Sequence, residues 1–329
     1  MITLNSERGL VQIENWTEIE ARPGFIKDLN PTDHKLKEII GRYVFGERIR
    51  CGLSNCHTPH AKGYIVVTED GHETNIGKDC GKTYFGVDFE ILSNRFDRDL
   101  AASQNRETLA TFSFHLDELE SRIWSQRTAE RGGDWVYKNT RPLLAAGRGC
   151  PTPVVRRLAD MIRSRSSIVT AERRATEEEI AAMEVREGRE LRRPQFVSEA
   201  IGQVSGMEAL YPENDLRELL VLDLGAHISE FREINIEDLT HTGLKRWVKW
   251  TAGVEATLEQ ATTVIASGQA LLSRDNLNIL LQTLTDPADK TGFRAFLRSL
   301  SARRDTGGSD VETGVTGVDG VDHAAHARR

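Results

Sequence analysis

The chain has 329 residues, of which 39% are hydrophobic and 28% are charged, and its formal net charge at pH 7 is −7. A chain of this length can bury one large core or two modest ones. The acidic balance argues against a general polyanion binder, because non-specific affinity for nucleic acid comes mainly from positive charge facing phosphates, although local basic patches can override the total.

The sequence has no stretch that predicts a membrane segment or a secretory leader. The longest apolar runs, such as residues 219–224, are far too short to cross a bilayer, and the first ten residues lack the basic-then-apolar order of a signal peptide. We therefore expect a cytoplasmic protein without a membrane partner.

The first 49 residues predict a strand followed by a helix. Residues 10–13 form a short, mainly apolar run, as in a strand. Residues 30–33 (NPTD) place capping side chains around a proline, which is typical of a helix start. Apolar residues then recur at helical spacing, at Leu36, Ile39, Ile40 and Tyr43. The pattern predicts a helix with one apolar stripe.

Three of the four cysteines lie within residues 50–85, and three histidines lie among them. A structural zinc site takes four Cys or His ligands in a tetrahedron. The sequence therefore predicts one structural Zn²⁺ held by Cys51, Cys56, Cys80 and His60. His57 and His72 remain alternatives for the fourth ligand. The other interpretation is that the cysteines pack as small apolar residues, whereas the odd local count disfavours a disulfide framework.

The segment between the second and third cysteines predicts a β-hairpin. Residues 63–68 are β-branched and aromatic, Asp70-Gly71 is a hairpin turn signal, and residues 73–76 can return as the second strand. After Cys80 the apolar residues take up helical spacing. This order of ligand loop, hairpin and helix, over residues 45–90, resembles the treble-clef class of zinc fingers. The resemblance implies a helix that begins with a metal ligand.

The middle of the chain predicts helices with one basic face. A helix should run from Cys80 to about Leu100, restart near Glu107, and break at residues 131–134. Another helix should start at Pro153, with Ile168 on its inward face. Residues 141–174 hold eight arginines against Asp160 and Glu172, an excess of six positive charges.

That basic region predicts a surface that contacts phosphates. The candidate residues are Arg156, Arg157, Arg163 and Arg165, joined by Lys62, Lys78 and Lys82 near the zinc module. The alternative interpretation is a solvated helix face that the acidic run at residues 177–179 neutralises.

The C-terminal part predicts further helices and a tail. Residues 171–193 are charged and indicate an exposed helix or connector. Residues 244–272 carry apolar residues in alternating steps of three and four, which predicts a helical hairpin or bundle. Residues 304–329 lack large apolar residues and should be disordered, and His323 and His326 there form only a weak metal-like pair.

The sequence lacks the signatures of familiar enzymes, including phosphate loops, dinucleotide-binding loops and zinc-protease motifs. No catalytic residues are predicted. A zinc enzyme would have only Glu69, Asp70 and Glu73 as nearby general bases. The other alternative is a protein adaptor or self-associating assembly factor that works through the C-terminal helices, with Trp247 or Trp250 as contact residues.

Taken together, these patterns predict an α+β protein, with a small zinc-stapled module of a β-hairpin and a helix before a mainly α-helical domain. The expected domains are the zinc module at 1–100, a helical region with the basic face at 101–193, a helical bundle at 194–303, and the tail at 304–329. The expected function is non-enzymatic nucleic-acid binding.

Overall fold

The structure is a computed structural model that describes residues 1–6 and 9–301. Its N-terminal part is an antiparallel five-stranded sheet with the strand order β2-β1-β3-β4-β5. The strands are β1 (Ile2–Ser6), β2 (Gly9–Ile13), β3 (Leu36–Arg50), β4 (Pro59–Thr68) and β5 (Glu73–Ile76), and a short helix, α1 (Trp16–Glu20), follows β2. The sheet and the helices that follow it confirm the α+β class. The predicted disordered tail lies outside the described residues.

The predicted helix over residues 36–43 is wrong, because this segment forms β3. Asn30 does not cap a helix. Its side-chain oxygen accepts hydrogen bonds from the amide and hydroxyl of Thr32, which closes a turn. Register irregularities in the pairing of β3 with β4 interrupt the strict alternation of a strand, so its apolar residues imitate helical spacing. Pairing with β1 on one side and β4 on the other decides the conformation.

Two apolar clusters pack against this sheet. The smaller cluster contains Ile2, Leu4, Ile19, Tyr43 and Ile65. The larger one contains Leu29, Ile39, Cys51, Leu53, Tyr64, Val66, Ile76, Phe89, Phe96 and Leu100. Because Cys51 is fully buried in the larger cluster, the cysteine loop is part of the folded core of this region.

Three helices follow the sheet: α2 (Lys78–Ser113), α3 (Leu116–Thr128) and α4 (Gly133–Leu144). The prediction of a helix after Cys80 is confirmed, but the expected restart near Glu107 is wrong, since α2 continues through that residue. The interruption lies earlier, at Gly86, where φ is 59° and ψ is −136°. A glycine adopts this left-handed conformation without the steric cost of a Cβ atom.

The remaining elements are mostly helical. They are α5 (Thr152–Arg163), β6 (Ile168–Arg174), α6 (Glu177–Glu187), β7 (Phe196–Gln203), a π-helix (Glu218–Gly225), α7 (Ala226–Arg232), α8 (His241–Thr251), α9 (Val254–Leu271), α10 (Arg274–Asn278) and α11 (Pro287–Ser301). The helical pattern at 244–272 is confirmed as two helices, α8 and α9.

The two-stranded sheet of β6 and β7, which α6 connects, was not predicted. Helix α5 ends before Arg165, whose φ of 51° is incompatible with a continuing helix. Ile168, which was expected on the inward face of that helix, instead opens β6 and is exposed. The two strands pair antiparallel from Ile168 opposite Gln203 to Arg174 opposite Phe196.

The chain forms two compact units, each built from two separate segments. The first unit comprises Met1–Thr140 and Gly206–Gln269, and the second begins at Arg141, runs to Ser205, and resumes at Ala270. Within the described residues, no helix is both long and apolar enough to cross a membrane.

Candidate metal centre

Residues 51–58 form a tight loop that joins β3 to β4. The Cys51 amide donates to the carbonyl of Thr58 at 3.2 Å, and the Cys56 amide donates to the carbonyl of Leu53, also at 3.2 Å. His57 has a φ of 56°, which turns the chain sharply after Cys56. These bonds hold Cys51 and Cys56 on one small, closed loop.

Gly52 fixes this loop against β5. Its amide donates to the carbonyl of Asn75 at 2.8 Å, and a Cβ atom at this position would collide with the Thr74 hydroxyl. The side chain of Asn75 in turn donates to the carbonyl of Arg50 at 2.9 Å. The end of β3 and the cysteine loop are therefore docked closely on the second strand of the hairpin.

The third cysteine reaches the loop through the predicted hairpin, which is confirmed as β4 and β5. Directly after β5 the chain enters α2, and Cys80 lies in its first turn. The thiol sulfurs of Cys51, Cys56 and Cys80 all lie within 4.8 Å of one another, and the sulfurs of Cys56 and Cys80 are 3.2 Å apart. Three thiols at this spacing could together hold a metal ion.

The three thiols have unequal affinities for a proton. Burial raises the pKa of Cys51, and burial together with the neighbouring thiols raises the pKa of Cys80 to about 12. At Cys56 burial opposes ionisation, but hydrogen bonds from the hydroxyl and amide of Thr58 outweigh it and lower the pKa. Of the three thiols, Cys56 is therefore the easiest to deprotonate, and a bound cation would favour deprotonation of the other two.

His60 lies on β4 with one ring nitrogen engaged and one free. Its Nδ1 is 2.7 Å from the Tyr43 hydroxyl, and its ring packs against Gly77, where a Cβ atom would lie 2.7 Å from Cδ2. Its Nε2 is buried and has no hydrogen-bond partner among the described residues. His60 lies outside the group of three sulfurs that are mutually within 4.8 Å. Burial lowers the pKa of His60, which favours the neutral form of the imidazole.

The two alternative histidines are engaged elsewhere. The ring of His57 lies 2.8 Å from a guanidinium nitrogen of Arg50, beside Asp28. His72 lies at the turn between β4 and β5, next to His34 and Asp70. Neither ring has an orphaned nitrogen like that of His60.

Sequence reasoning missed the residues that support the ligands. Thr58 and Tyr43 contact Cys56 and His60 respectively, and Asn75 donates to the Tyr43 hydroxyl at 3.2 Å. The position of Thr58, two residues after a cysteine, is a weak local signal. Tyr43 gives none, since it lies 17 positions from His60.

The three predicted lysines differ in their surroundings. Lys82 forms an ion pair with Glu90 at 2.5 Å. Lys62 and Lys78 are exposed, and neither forms an ion pair with any residue that the structure describes. Tyr64 and Ile76 are paired across β4 and β5. Lys62 lies two residues before Tyr64 and Lys78 lies two residues after Ile76, so both are at the same end of the hairpin, close in sequence to His60 and Cys80.

The four predicted arginines also differ in their hydrogen bonds and ion pairs. Arg157 donates to the carbonyl of Thr170 at 2.7 Å and thereby braces β6. Arg163 forms an exposed ion pair with Asp160 at 3.2 Å. Arg156 is exposed and unpaired within the described ranges, while Arg165 lies at the turn after α5.

Two members of the acidic run at residues 177–179 pair with arginines outside α5. Glu179 forms an ion pair with Arg173 at 2.7 Å, and Arg173 also binds Glu199 at 2.7 Å. Glu177 pairs with Arg193.

Comparisons with protein-family models, with curated proteins and with solved structures found no match to the chain. The function therefore has to be inferred from the site itself.

Proposed function

We propose that this chain is a zinc-stabilised nucleic-acid-binding protein. Cys51, Cys56, Cys80 and His60 hold one structural Zn²⁺, in a module like a treble-clef zinc finger. Zn–S bonds of about 2.3 Å in a tetrahedron separate the sulfurs by about 3.8 Å. The observed separations, from 3.2 Å to within 4.8 Å, require only small side-chain movements to reach this value.

The orphaned Nε2 of His60 supports the fourth ligand. A buried ring nitrogen without a partner loses the hydrogen bonds that water would supply, and a metal ion would satisfy it. With the metal on Nε2, the Nδ1–H of His60 donates to Tyr43, an arrangement that commonly orients histidine ligands. Four protein ligands leave no open coordination position, so the ion has a structural role.

The observation that carries the binding function is the pair of exposed lysines beside this centre, which form no ion pair with the residues that the structure describes. Lys62 and Lys78 extend from one end of the hairpin, and Lys78 is the first residue of α2. The N-terminus of a helix carries partial positive charge and unpaired backbone amides, which favour a phosphate. The two ammonium groups and the helix start thus offer a small cationic surface in an otherwise acidic protein.

The second unit contributes its own cationic surface on α5. Arg156 is available for a phosphate, and Arg163 has only an exposed ion pair, which contributes little stability and can exchange for a phosphate contact. Arg157 is hydrogen-bonded to the carbonyl of Thr170, so its contribution is to position this surface. Contacts of this kind fix the orientation of a nucleic acid without reading its bases.

The test is binding of the full chain to nucleic acid, measured by fluorescence anisotropy. Labelled single- and double-stranded DNA and RNA are titrated with zinc-loaded protein at salt concentrations from about 50 to 200 mM. We expect binding at low salt that weakens steeply as salt rises. Absence of binding to all four probes at the lowest salt concentration would refute the function, whatever the zinc content.

The fourth ligand has a separate test with a matched pair of variants. His60→Ala should weaken zinc affinity by at least about tenfold, while His57→Ala should leave it unchanged. Zinc affinity is measured by competition with a chromophoric chelator. Equal affinities in the two variants would remove His60 from the site.

An exposed tryptophan favours one alternative, a self-associating adaptor. Trp124 is 64% exposed and lines a groove between α3 and the π-helix, together with the exposed Leu222. Exposed aromatic residues in grooves are typical anchors of protein interfaces. Trp247 cannot serve in this role because it is 1% exposed. The indole N–H of Trp250 already donates a hydrogen bond to Asp223. Sedimentation of the wild type and Trp124→Ala over a concentration series tests this function. A wild type that stays monomeric throughout would contradict it.

A further inference from the structure

A second cluster of potential metal ligands lies at the turn of the β4–β5 hairpin. His34, Asp70 and His72 each contribute one potential ligand atom, and all three atoms lie within 4.8 Å of one another. The Nδ1 atom of His34 is 2.7 Å from an oxygen of Asp70, and the Nε2 atom of His72 is 3.4 Å from the same oxygen. The two imidazole rings meet edge to face, with centroids 5.2 Å apart.

The backbone holds these side chains in place from both sides. Thr68 is fully buried, and its amide and hydroxyl both donate to the carbonyl of His72, at 2.9 and 3.1 Å. The His72 amide donates back to the Thr68 hydroxyl at 3.1 Å. These bonds close the turn, in which Gly71 adopts a φ of 86°. Asp70 and His72 are therefore carried by a well-defined turn.

His34 is anchored to the same turn through its neighbour in sequence. The amide of Glu69 donates to the carbonyl of Lys35 at 2.9 Å, which joins the segment before β3 to the hairpin. Leu36 then enters β3 opposite Thr68. The three ligand atoms thus come from two segments that backbone hydrogen bonds tie together, and such preorganisation lowers the cost of assembling a metal site.

We propose that His34, Asp70 and His72 bind a divalent transition metal ion. Two imidazoles and one carboxylate form a donor set that suits Zn²⁺, Ni²⁺, Co²⁺ or Fe²⁺, and three protein ligands leave coordination positions for water. The side chains of Asp70 and His72 are 46% and 41% exposed, which gives water and the ion direct access. The site is independent of the proposed zinc centre, from which it differs by having no thiolate.

The inference is tested on the full chain without an affinity tag, carrying its zinc, by calorimetric titration with Ni²⁺ alone. The test variant is His34→Gln with His72→Gln, and the matched control is His323→Gln with His326→Gln, which removes the histidine pair of the tail. We expect the wild type and the control to bind one Ni²⁺ per chain at this site. The test variant should lose this equivalent or bind it at least about tenfold more weakly.

Asp70→Asn provides a second variant that preserves shape. Because Asp70 is exposed at a turn, the fold should persist, which circular dichroism checks, while Ni²⁺ affinity should again fall. The proposal is overturned if the wild type binds no Ni²⁺. It is also overturned if binding is equally strong in the His34→Gln, His72→Gln variant, because the ion would then lie elsewhere. Neither outcome bears on the zinc content or on nucleic-acid binding.

Discussion

Cys56 and Cys80 are 24 positions apart in the chain, yet their sulfurs lie 3.2 Å apart. The hairpin of β4 and β5 closes this separation, since it carries the chain away from the cysteine loop and returns it to the start of α2. The contact joins the cysteine loop to the first turn of α2. The stability of this region should therefore depend on what the thiols bind.

Replacing Cys80 should release the metal. We expect Cys80→Ser to lose about one zinc per chain, measured by metal analysis after reducing purification, and to loosen residues 45–90, measured by hydrogen exchange. The physical reason is that metal-binding free energy contributes directly to the folding of small metal-stapled modules. Cys150→Ser is the control, because Cys150 is also buried but belongs to the second unit. Zinc loss in both variants, or in neither, would contradict the site.

Reversing the charges at Lys62 and Lys78 should weaken nucleic-acid binding. We expect the variant with both lysines changed to Glu to bind at least about tenfold more weakly. The plot of log K against log salt should also become less steep, its negative slope shrinking by roughly 2 for duplex DNA, because two phosphate contacts are lost. The matched control reverses Lys245 and Lys249, which are exposed on α8 and change the net charge equally. Equal losses in the two variants would indicate a general charge effect instead of a binding surface.

Gly81 should not tolerate a side chain. A Cβ atom there would lie within 2.5 Å of the ring of Phe89, which is fully buried and cannot move away easily. We expect Gly81→Ala to destabilise the fold by about 1–3 kcal/mol, measured by chemical denaturation. Gly243→Ala, in α8, meets its nearest atom, the end of the Leu239 side chain, at 3.3 Å and should therefore be tolerated better than Gly81→Ala. A Gly81→Ala variant that is no less stable than Gly243→Ala would show that the Phe89 contact has no influence.

Glu179 should stabilise the second unit in a manner that depends on pH. Hydrogen bonds from Arg173, and then from the Thr176 amide, lower the pKa of Glu179 to about 2. Because the folded pKa is below the unfolded one, the stabilisation is complete above pH 4.5 and is lost as pH falls towards 2. Glu179→Ala should thus lower the melting temperature at pH 7, and its difference from the wild type should shrink below about pH 4.5.

Glu178→Ala is the control for this experiment, because Glu178 is exposed and forms no ion pair within the described residues. It should leave the melting temperature nearly unchanged at every pH. A difference between Glu179→Ala and the wild type that stays constant from pH 7 to pH 3 would exclude the ion pair with Arg173 as its cause.

Local patterns of the sequence were sufficient for several parts of this protein. The cysteine loop, the hairpin around Asp70-Gly71 and the helix after Cys80 could be predicted because each depends on residues that are close in sequence. A turn signal between β-branched runs specifies a hairpin through its own backbone geometry. Likewise, the apolar stripe that includes Val154 and Leu158 is buried in the structure, because helical periodicity alone defines a face.

Other parts were decided only by tertiary structure. Residues 36–43 have helical spacing, but pairing with two neighbouring strands makes them β3, since the sheet satisfies their backbone groups on both sides. Arg157 is engaged by Thr170 and Lys82 by Glu90, and residue type alone indicated neither of these partners.

The same distinction applies to the proposed metal ligands. The sequence alone determined which residues carry the chemistry, because thiols and imidazoles are the ligands that zinc prefers wherever they occur. Only the tertiary structure decided how they are grouped: three thiols in one cluster, His60 with an orphaned nitrogen beside Gly77, and His72 with His34 and Asp70 at the far end of the hairpin. The reason is that strand pairing sets these distances, and it joins residues whose separation along the chain carries no information about their separation in space.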